Sequence, residues 1–239
     1  VGYHGAYMDV SRVNVARAFD GVARRYDLMT GMNPGYRRHL RMSAERIGAP
    51  PGGRLLDLCC GTGLSTSALR EVYPAAELVG LDASAGMLAQ ARAKTELNAT
   101  FHRGDATDPG GAGVPGTFDG ILMAYGIRNV PDRDRCLANV LELLRPGGRI
   151  CFHEYSVRDD SVRRWIFNAI CAGFIEPAGL VTSGDASIYR YLRESVNDFD
   201  GVRAFEERLE RAGFTDVHTL PMDGWQRGIV HSFLASRPA

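Results

Sequence analysis

Leu55-Leu56-Asp57-Leu58-Cys59-Cys60-Gly61-Thr62-Gly63 is the stretch on which the reading of this chain turns. Leu55 to Leu58 is a short apolar run, as a strand buried on both faces of a parallel sheet should be. The run breaks into Gly-Thr-Gly, and Leu64 to Glu71 then opens a helix. A strand that ends in small residues and feeds a helix leaves bare backbone for a ligand. The helix N-terminus adds unpaired N–H donors and a partial positive charge. A second acidic residue, Asp82, ends the next apolar run, Leu78-Val79-Gly80-Leu81. That is about the interval at which a nucleotide-binding βαβ unit sets a carboxylate on a ribose. Gly104-Asp105-Ala106 follows a third strand. Acidic residues at the carboxyl ends of successive strands converge on one crevice in an open α/β sheet.

The alternation continues outward from there. Strands are expected at 55–58, 77–82, 100–103, 118–124 and 149–155, with helices at 64–72, 84–95 and about 132–145 between them. Pro146-Gly147-Gly148 is expected to stop the last of these helices. This pattern predicts a doubly wound, Rossmann-like α/β fold with a mostly parallel seven-stranded sheet. The last two strands, 214–220 and 228–235, are close enough in sequence to pair antiparallel. Before the first strand, Asn14 can cap a helix with Phe19, Val22, Ala23 and Tyr26 on one stripe. Met32-Asn33-Pro34-Gly35 is a turn, and a second helix follows with Tyr36, Leu40 and Ile47 aligned. Trp165 to Ile175 is a bulky apolar helix outside the βα series, with further helices at 187–197 and 202–212. The organisation expected is therefore a tail at 1–12, a helical cap at 13–50, a ligand-binding core at 51–156 and 199–239, and a helical insertion at 157–198 covering the second substrate.

The chain's 239 residues fit one α/β domain with a small cap. Its formal net charge is zero, so no global field favours nucleic acid. Lys94 is the only lysine. Five cysteines show no paired metal spacing, and buried free thiols in a reducing cytoplasm are expected, with no metal. No apolar run is long enough to span a bilayer. A passing membrane contact and a homodimer both stay open.

With these residues in place, the chain resembles the class I S-adenosylmethionine (SAM)-dependent methyltransferases, and within them the ubiquinone/menaquinone biosynthesis C-methyltransferases. The stretches that match are Arg25-Tyr26-Asp27-Leu28-Met29, 55–63, Leu81-Asp82, Gly126-Ile127-Arg128-Asn129-Val130, 144–149, Asp185-Ala186, 189–196, Ala212-Gly213-Phe214 and 228–231. The resemblance implies SAM as cofactor and S-adenosylhomocysteine as product. It implies that backbone around Asp57, Cys59, Gly61 and Gly63 cradles the methionine moiety. Asp82 with Ala83 would take the ribose, and Met87 would flank the adenine. Gly104, Asp105 and Ala106 would receive the adenine edge, while Tyr26 closes over the cofactor and Ala124 and Tyr125 line the methyl end. Cys59 stands where the superfamily carries its first glycine, so position 59 is expected not to need a positive φ. Leu64 stands where the quinone enzymes carry an acidic residue, and 108–116 lacks their Leu-Pro-Phe run.

Methyl transfer from a sulfonium is an in-line displacement whose leaving group needs no proton. The protein must align the reactants, exclude water and make the acceptor nucleophilic. An aromatic or quinol-like acceptor does so by losing a hydroxyl proton. The resemblance places Arg128 near the acceptor, where it would stabilise the developing phenolate while a water carries the proton. His153 and His231 are candidate bases, since a histidine titrates near neutrality. Tyr125, Arg128, Phe174, Tyr189 and Asp185 would meet the acceptor. The competing expectations are a natural-product O-, N- or C-methyltransferase, a SAM-binding protein that promotes a cyclisation, and a NAD-dependent oxidoreductase.

Overall fold

In the computed structural model, β1 (Arg54–Leu58) lies in the interior of the sheet. β2 (Glu77–Asp82), β3 (Ala99–Arg103), β4 (Phe118–Ala124) and β5 (Leu144–Tyr155) join it in parallel. β7 (Val230–Ser236) runs antiparallel between β5 and β6 (Thr215–Pro221), giving the order β3-β2-β1-β4-β5-β7-β6. The structure describes residues 15–31, 33–183 and 187–239. The tail, Asn14, Met32, Asp185 and Ala186 lie outside the described residues, as does the side chain of Val22.

β1 is apolar at Leu55, Leu56 and Leu58 because both its faces are covered, with Asp57 as its one buried acid. Leu56 and Leu58 face a core that includes Phe152, Phe205 and Phe233, while Leu55 faces Leu40, Ile47 and Leu69. α1 (Val15–Gly31), α2 (Tyr36–Ile47) and α3 (Leu64–Val72) lead into and out of β1, and α4 (Ala85–Ala93) and α5 (Arg133–Leu143) follow β2 and β4. The order of strands reverses between β1 and β4. A parallel sheet opens a crevice at the carboxyl ends of two such strands, because the loops leaving them turn to opposite sides.

Three local expectations are corrected. α5 ends at Leu143, and Pro146-Gly147-Gly148 forms an irregularity inside β5, whose pairing with β4 jumps from Phe118–Leu144 to Gly120–Arg149. Proline has no N–H to extend a helix, and Arg237 Nη1 instead donates to the carbonyls of Glu142 (3.0 Å) and Leu144 (2.6 Å). Helix α4 stops at Ala93 and gives way to a 3₁₀ turn at Thr95–Leu97, while Ser84 caps its start by accepting from Met87 N–H at 3.1 Å. The apolar helix of the insertion is three pieces: α6 (Ser161–Ile170), a π turn at Cys171–Ile175 and α7 (Glu176–Ser183). α8 (Ser187–Asp198) then crosses back, and α9 (Val202–Arg211) packs on the sheet.

Candidate active site

The crevice at the ends of β1 and β4 holds a cavity of about 320 Å³. Its floor is backbone. A Cβ added at Gly61, where φ is +54°, would meet nothing within 4 Å. Cys59 and Tyr125, the residues directly after β1 and β4, adopt φ of +63° and +55°. The expectation that position 59 avoids positive φ is therefore wrong. The left-handed turn is kept and a side chain is tolerated in it, its sulfur packed beside Gly126, where an added Cβ would come within 2.8 Å. Such backbone is costly for residues other than glycine and collects where a loop is shaped for a ligand.

Two carboxylates stand on the wall. Asp82 Oδ2 accepts from Gly61 N–H and Oδ1 from Ser84 N–H, both at 2.8 Å. Burial pushes its carboxyl up against these two backbone bonds, which pull the other way. Asp105, exposed at the end of the next strand, spends Oδ1 on the N–H and hydroxyl of Thr107. Ala83, Met87, Gly104 and Ala106 line the space between the two acids, and Ala124 faces them.

Asp57 and Gly63 do not line this cavity. Asp57 is buried beneath the loop, where its Oδ2 accepts from the hydroxyls of Ser65 (2.8 Å) and Thr66 (2.6 Å). Its Oδ1 is buried without a hydrogen-bond partner among the described residues. Burial raises its pKa to about 7. Gly63, at φ +86°, begins α3, and a Cβ there would strike Leu97 at 2.8 Å.

Helix α1 roofs the crevice and is latched to it at two acids. Asp20 Oδ1 accepts from the Ser84 hydroxyl (2.5 Å) and from Gly86 N–H (2.8 Å), at the start of α4. Asp27 accepts from the Thr62 hydroxyl at 2.5 Å and pairs with Lys94 at 2.6 Å, and Lys94 also donates to Thr62 O at 2.8 Å. The single lysine of the chain thus ties the roof to the glycine loop.

A second cavity of about 420 Å³ adjoins the first. Phe19, Tyr26 and Tyr125 form walls of both. Arg128, Phe174 and Tyr189 line the second. Tyr189 lies close against α7, because a Cβ on Gly179 would fall 2.1 Å from its ring. Arg128 Nη1 is ion-paired with buried Glu154 at 2.7 Å, and its Nε donates to Ser195 at 3.2 Å. Burial opposes the Arg128 charge, yet the Glu154 carboxylate beside it holds the pKa above its ordinary value.

Sequence reasoning missed Tyr36, Tyr155 and Tyr191, which complete the aromatic wall. Tyr36 stacks on Tyr125 at 5.5 Å and Tyr155 tilts against it at 5.0 Å. Tyr36 had been legible only as the head of an apolar stripe. Tyr155 directly follows Glu154 at the carboxyl end of β5, the edge on which ligands collect, and that position was its available signal. Burial raises the phenols of Tyr26, Tyr36, Tyr125 and Tyr155, so all four stay neutral.

The two histidines expected as bases line neither cavity. His153 is fully buried, with Nδ1 2.8 Å from the Ser43 hydroxyl and Nε2 2.8 Å from the Tyr125 hydroxyl. Burial depresses its pKa to about 3, so it holds no charge at neutral pH and both ring nitrogens are engaged. His231 lies opposite Glu154 on β7, and burial depresses its pKa to about 4.

The chemistry of the first cavity fits an adenosyl ligand: carboxylates at the ends of two successive strands, small residues between them and open backbone at Gly61. The fold is shared with solved structures. The [4+2]-cyclase SpnF superposes with a TM-score of 0.69 at 18% identity, over 96% of this chain and 97% of that one. The Haemonchus contortus phosphoethanolamine N-methyltransferase 2, solved with SAM, gives 0.68 at 18% identity, over 95% of this chain and 60% of that one. Sequence relatives are nearer. A demethylmenaquinone methyltransferase of Beutenbergia cavernae is 33% identical, over 94% of this chain and 91% of its own length. The ubiquinone/menaquinone biosynthesis C-methyltransferase UbiE of Pseudomonas paraeruginosa is 32% identical, over 96% and 91%.

These findings make the protein a SAM-dependent methyltransferase. More narrowly, the chain belongs to the ubiE/COQ5 methyltransferase family, whose model matches residues 7–235.

Proposed function

We propose that this enzyme methylates a ring carbon of a hydroquinone or electron-rich phenol bound in the tyrosine-lined cavity. The observation that carries the proposal is the shared wall at Phe19, Tyr26 and Tyr125, which sets an apolar aromatic chamber directly against the adenosyl-type crevice. SAM, when bound, supplies an electrophilic methyl group on a positively charged sulfur. Asp82 would hold the ribose hydroxyls, Asp105 and Ala106 the adenine edge, and Tyr26 would close the roof. Asp57 acts from below, keeping the loop in shape through α3 rather than touching the ligand.

On the acceptor side, Phe174, Tyr189 and the other rings exclude water, which strengthens every remaining polar contact. Arg128 is a donor that never gives up its proton. It would stabilise negative charge growing on the acceptor oxygen, with the proton leaving through water. Pairing with Glu154 keeps the guanidinium in place. The residues at 13–50 and 157–198 then read as roof and acceptor wall around the core. Five cysteines, none in a disulfide, fit a reducing cytoplasm. Among the described residues no helix is long and apolar enough to cross a membrane.

The test is transfer of labelled methyl from SAM to reduced 2-prenyl-1,4-naphthoquinone, beside simple phenols and the oxidised quinone. The expected result is label on the ring carbon of the naphthoquinol alone. Label on oxygen or nitrogen of another acceptor would favour a natural-product enzyme. Tight SAM binding without turnover on any acceptor would favour a non-methylating role.

A further inference from the structure

A line of hydrogen bonds runs from the wall shared by the two cavities to the outer end of α2. Tyr125 Oη lies 2.8 Å from His153 Nε2, and His153 Nδ1 lies 2.8 Å from Ser43 Oγ. Ser43 Oγ is 2.8 Å from Ser232 Oγ, which accepts from Arg46 Nη1 at 2.9 Å. Ser43, His153 and Ser232 are buried, and Arg46 is half-buried and also donates to the carbonyls of Leu220 and Pro221.

The line can be ordered in two directions. Arginine only donates. If Ser232 passes its proton to Ser43, Ser43 donates to His153 Nδ1 and His153 Nε2–H donates to Tyr125. Each step then has an oxygen or nitrogen acceptor. In the opposite order Ser232 receives from both Ser43 and Arg46. Its own proton is left for the sulfur of Cys151, which also contacts both serines and is a weak acceptor. The first order makes the better set of bonds. It also leaves the O–H of Tyr125, a residue that lines both cavities, without an acceptor among the described residues, since the phenol oxygen already accepts from His153.

We propose that Arg46, Ser232, Ser43 and His153 form a one-way donor chain that turns the Tyr125 hydroxyl into the acceptor cavity, as a second hydrogen-bond donor to the acceptor's ring oxygen beside Arg128. Tyr125 is then the group that touches substrate, and the other four are positioning residues. His153 serves as a fixed donor. No proton leaves along the chain. The proposal rests on the reading that the acceptor carries a ring hydroxyl, but the order of the chain does not.

Histidine-ring ¹⁵N NMR on the ligand-free wild-type protein at neutral pH reads the order directly. The expected result is a neutral His153 ring protonated at Nε2. A ring protonated at Nδ1 overturns the proposal, whatever the acceptor proves to be. Arg46→Met, at the far end of the chain, tests the coupling. It is expected to shift the His153 tautomer toward Nδ1–H and to lower kcat for the naphthoquinol severalfold, with KM for SAM unchanged. Tyr125→Phe is expected to lower kcat about 100-fold, the loss typical of one donor to a developing oxyanion. An unaltered tautomer in Arg46→Met, or an unaltered kcat in Tyr125→Phe, would contradict the proposal. Failure of transfer to every phenol with the Nε2–H form present would instead sink the acceptor assignment alone.

Discussion

Single side chains in this protein owe their behaviour to what covers them. Asp57 was legible from sequence as the acid before the glycine loop, but its depth was not. Its neighbours Leu56 and Leu58 face one core and Leu55 the other, and Asp57, two residues on from Leu55, shares that second face, buried beneath α3 with the hydroxyls of Ser65 and Thr66 as partners. With its pKa raised to about 7 from 3.8, the folded protein holds a proton that the unfolded chain releases. That contribution to stability is complete below the unfolded value and is lost as pH rises through about 7. Asp57→Asn removes the effect, so its stability relative to wild type should rise by about 2–3 kcal/mol between about pH 5 and pH 8. Urea unfolding at the two pH values checks this, and parallel curves would refute it. Cys59 teaches the opposite lesson: a residue type that argues against positive φ is held there by its surroundings. Likewise His153 reads as a base from its type and strand position, and only the partners at Ser43 and Tyr125 show that both nitrogens are engaged.

Different elements wall the two cavities. Helix α1 closes over the first cavity through Asp20 and Asp27, neither of which the apolar stripe of that helix pointed to. Lys94→Met removes one latch. A partly exposed pair of this kind contributes about 0.5–1 kcal/mol, so S-adenosylhomocysteine affinity should weaken about two- to fivefold by calorimetry. An unchanged Kd would mean that the roof is held elsewhere. The segment from α6 to α8 lines the second cavity. The π turn at Cys171–Ile175 carries an extra residue within a helical path, and two of its members, Phe174 and Ile175, line the second cavity. Deleting Ala172 would restore regular helix and rotate that wall. The expected outcome is a KM for the naphthoquinol raised at least about tenfold, with cofactor affinity intact. Equal loss of both would show that the segment supports the whole fold. Helical spacing in sequence cannot reveal such a turn, because one extra residue shifts the stripe without breaking it.

At the scale of the whole molecule, the alternation that begins at Leu55 made the doubly wound sheet, its antiparallel end and its crevice readable, whereas the strand order is seen only in the structure, because alternation alone fits more than one order. The acids Asp82 and Asp105 were readable too, since strand ends in an open sheet face one edge. The second chamber was less so. It is assembled from α1, α2, the ends of β4 and β5, α6 to α8 and the turn at Trp225, and only tertiary packing brings those rings together. Trp225 donates to Pro34 O at 3.1 Å, and His39 holds Gln226 and Asp223 at 2.6 and 2.8 Å, so the last turn of the chain is tied to the start of α2. The same carboxylate placement would serve a dinucleotide, which is why fold alone does not choose the ligand. The most direct measurement is a crystal structure of the complex with S-adenosylhomocysteine. The account predicts ribose on Asp82, adenine beside Asp105 and Ala106, and sulfur at the wall shared by Tyr26 and Tyr125, facing the tyrosine chamber. A ligand bound elsewhere, or one whose sulfur faces away from that chamber, would contradict it.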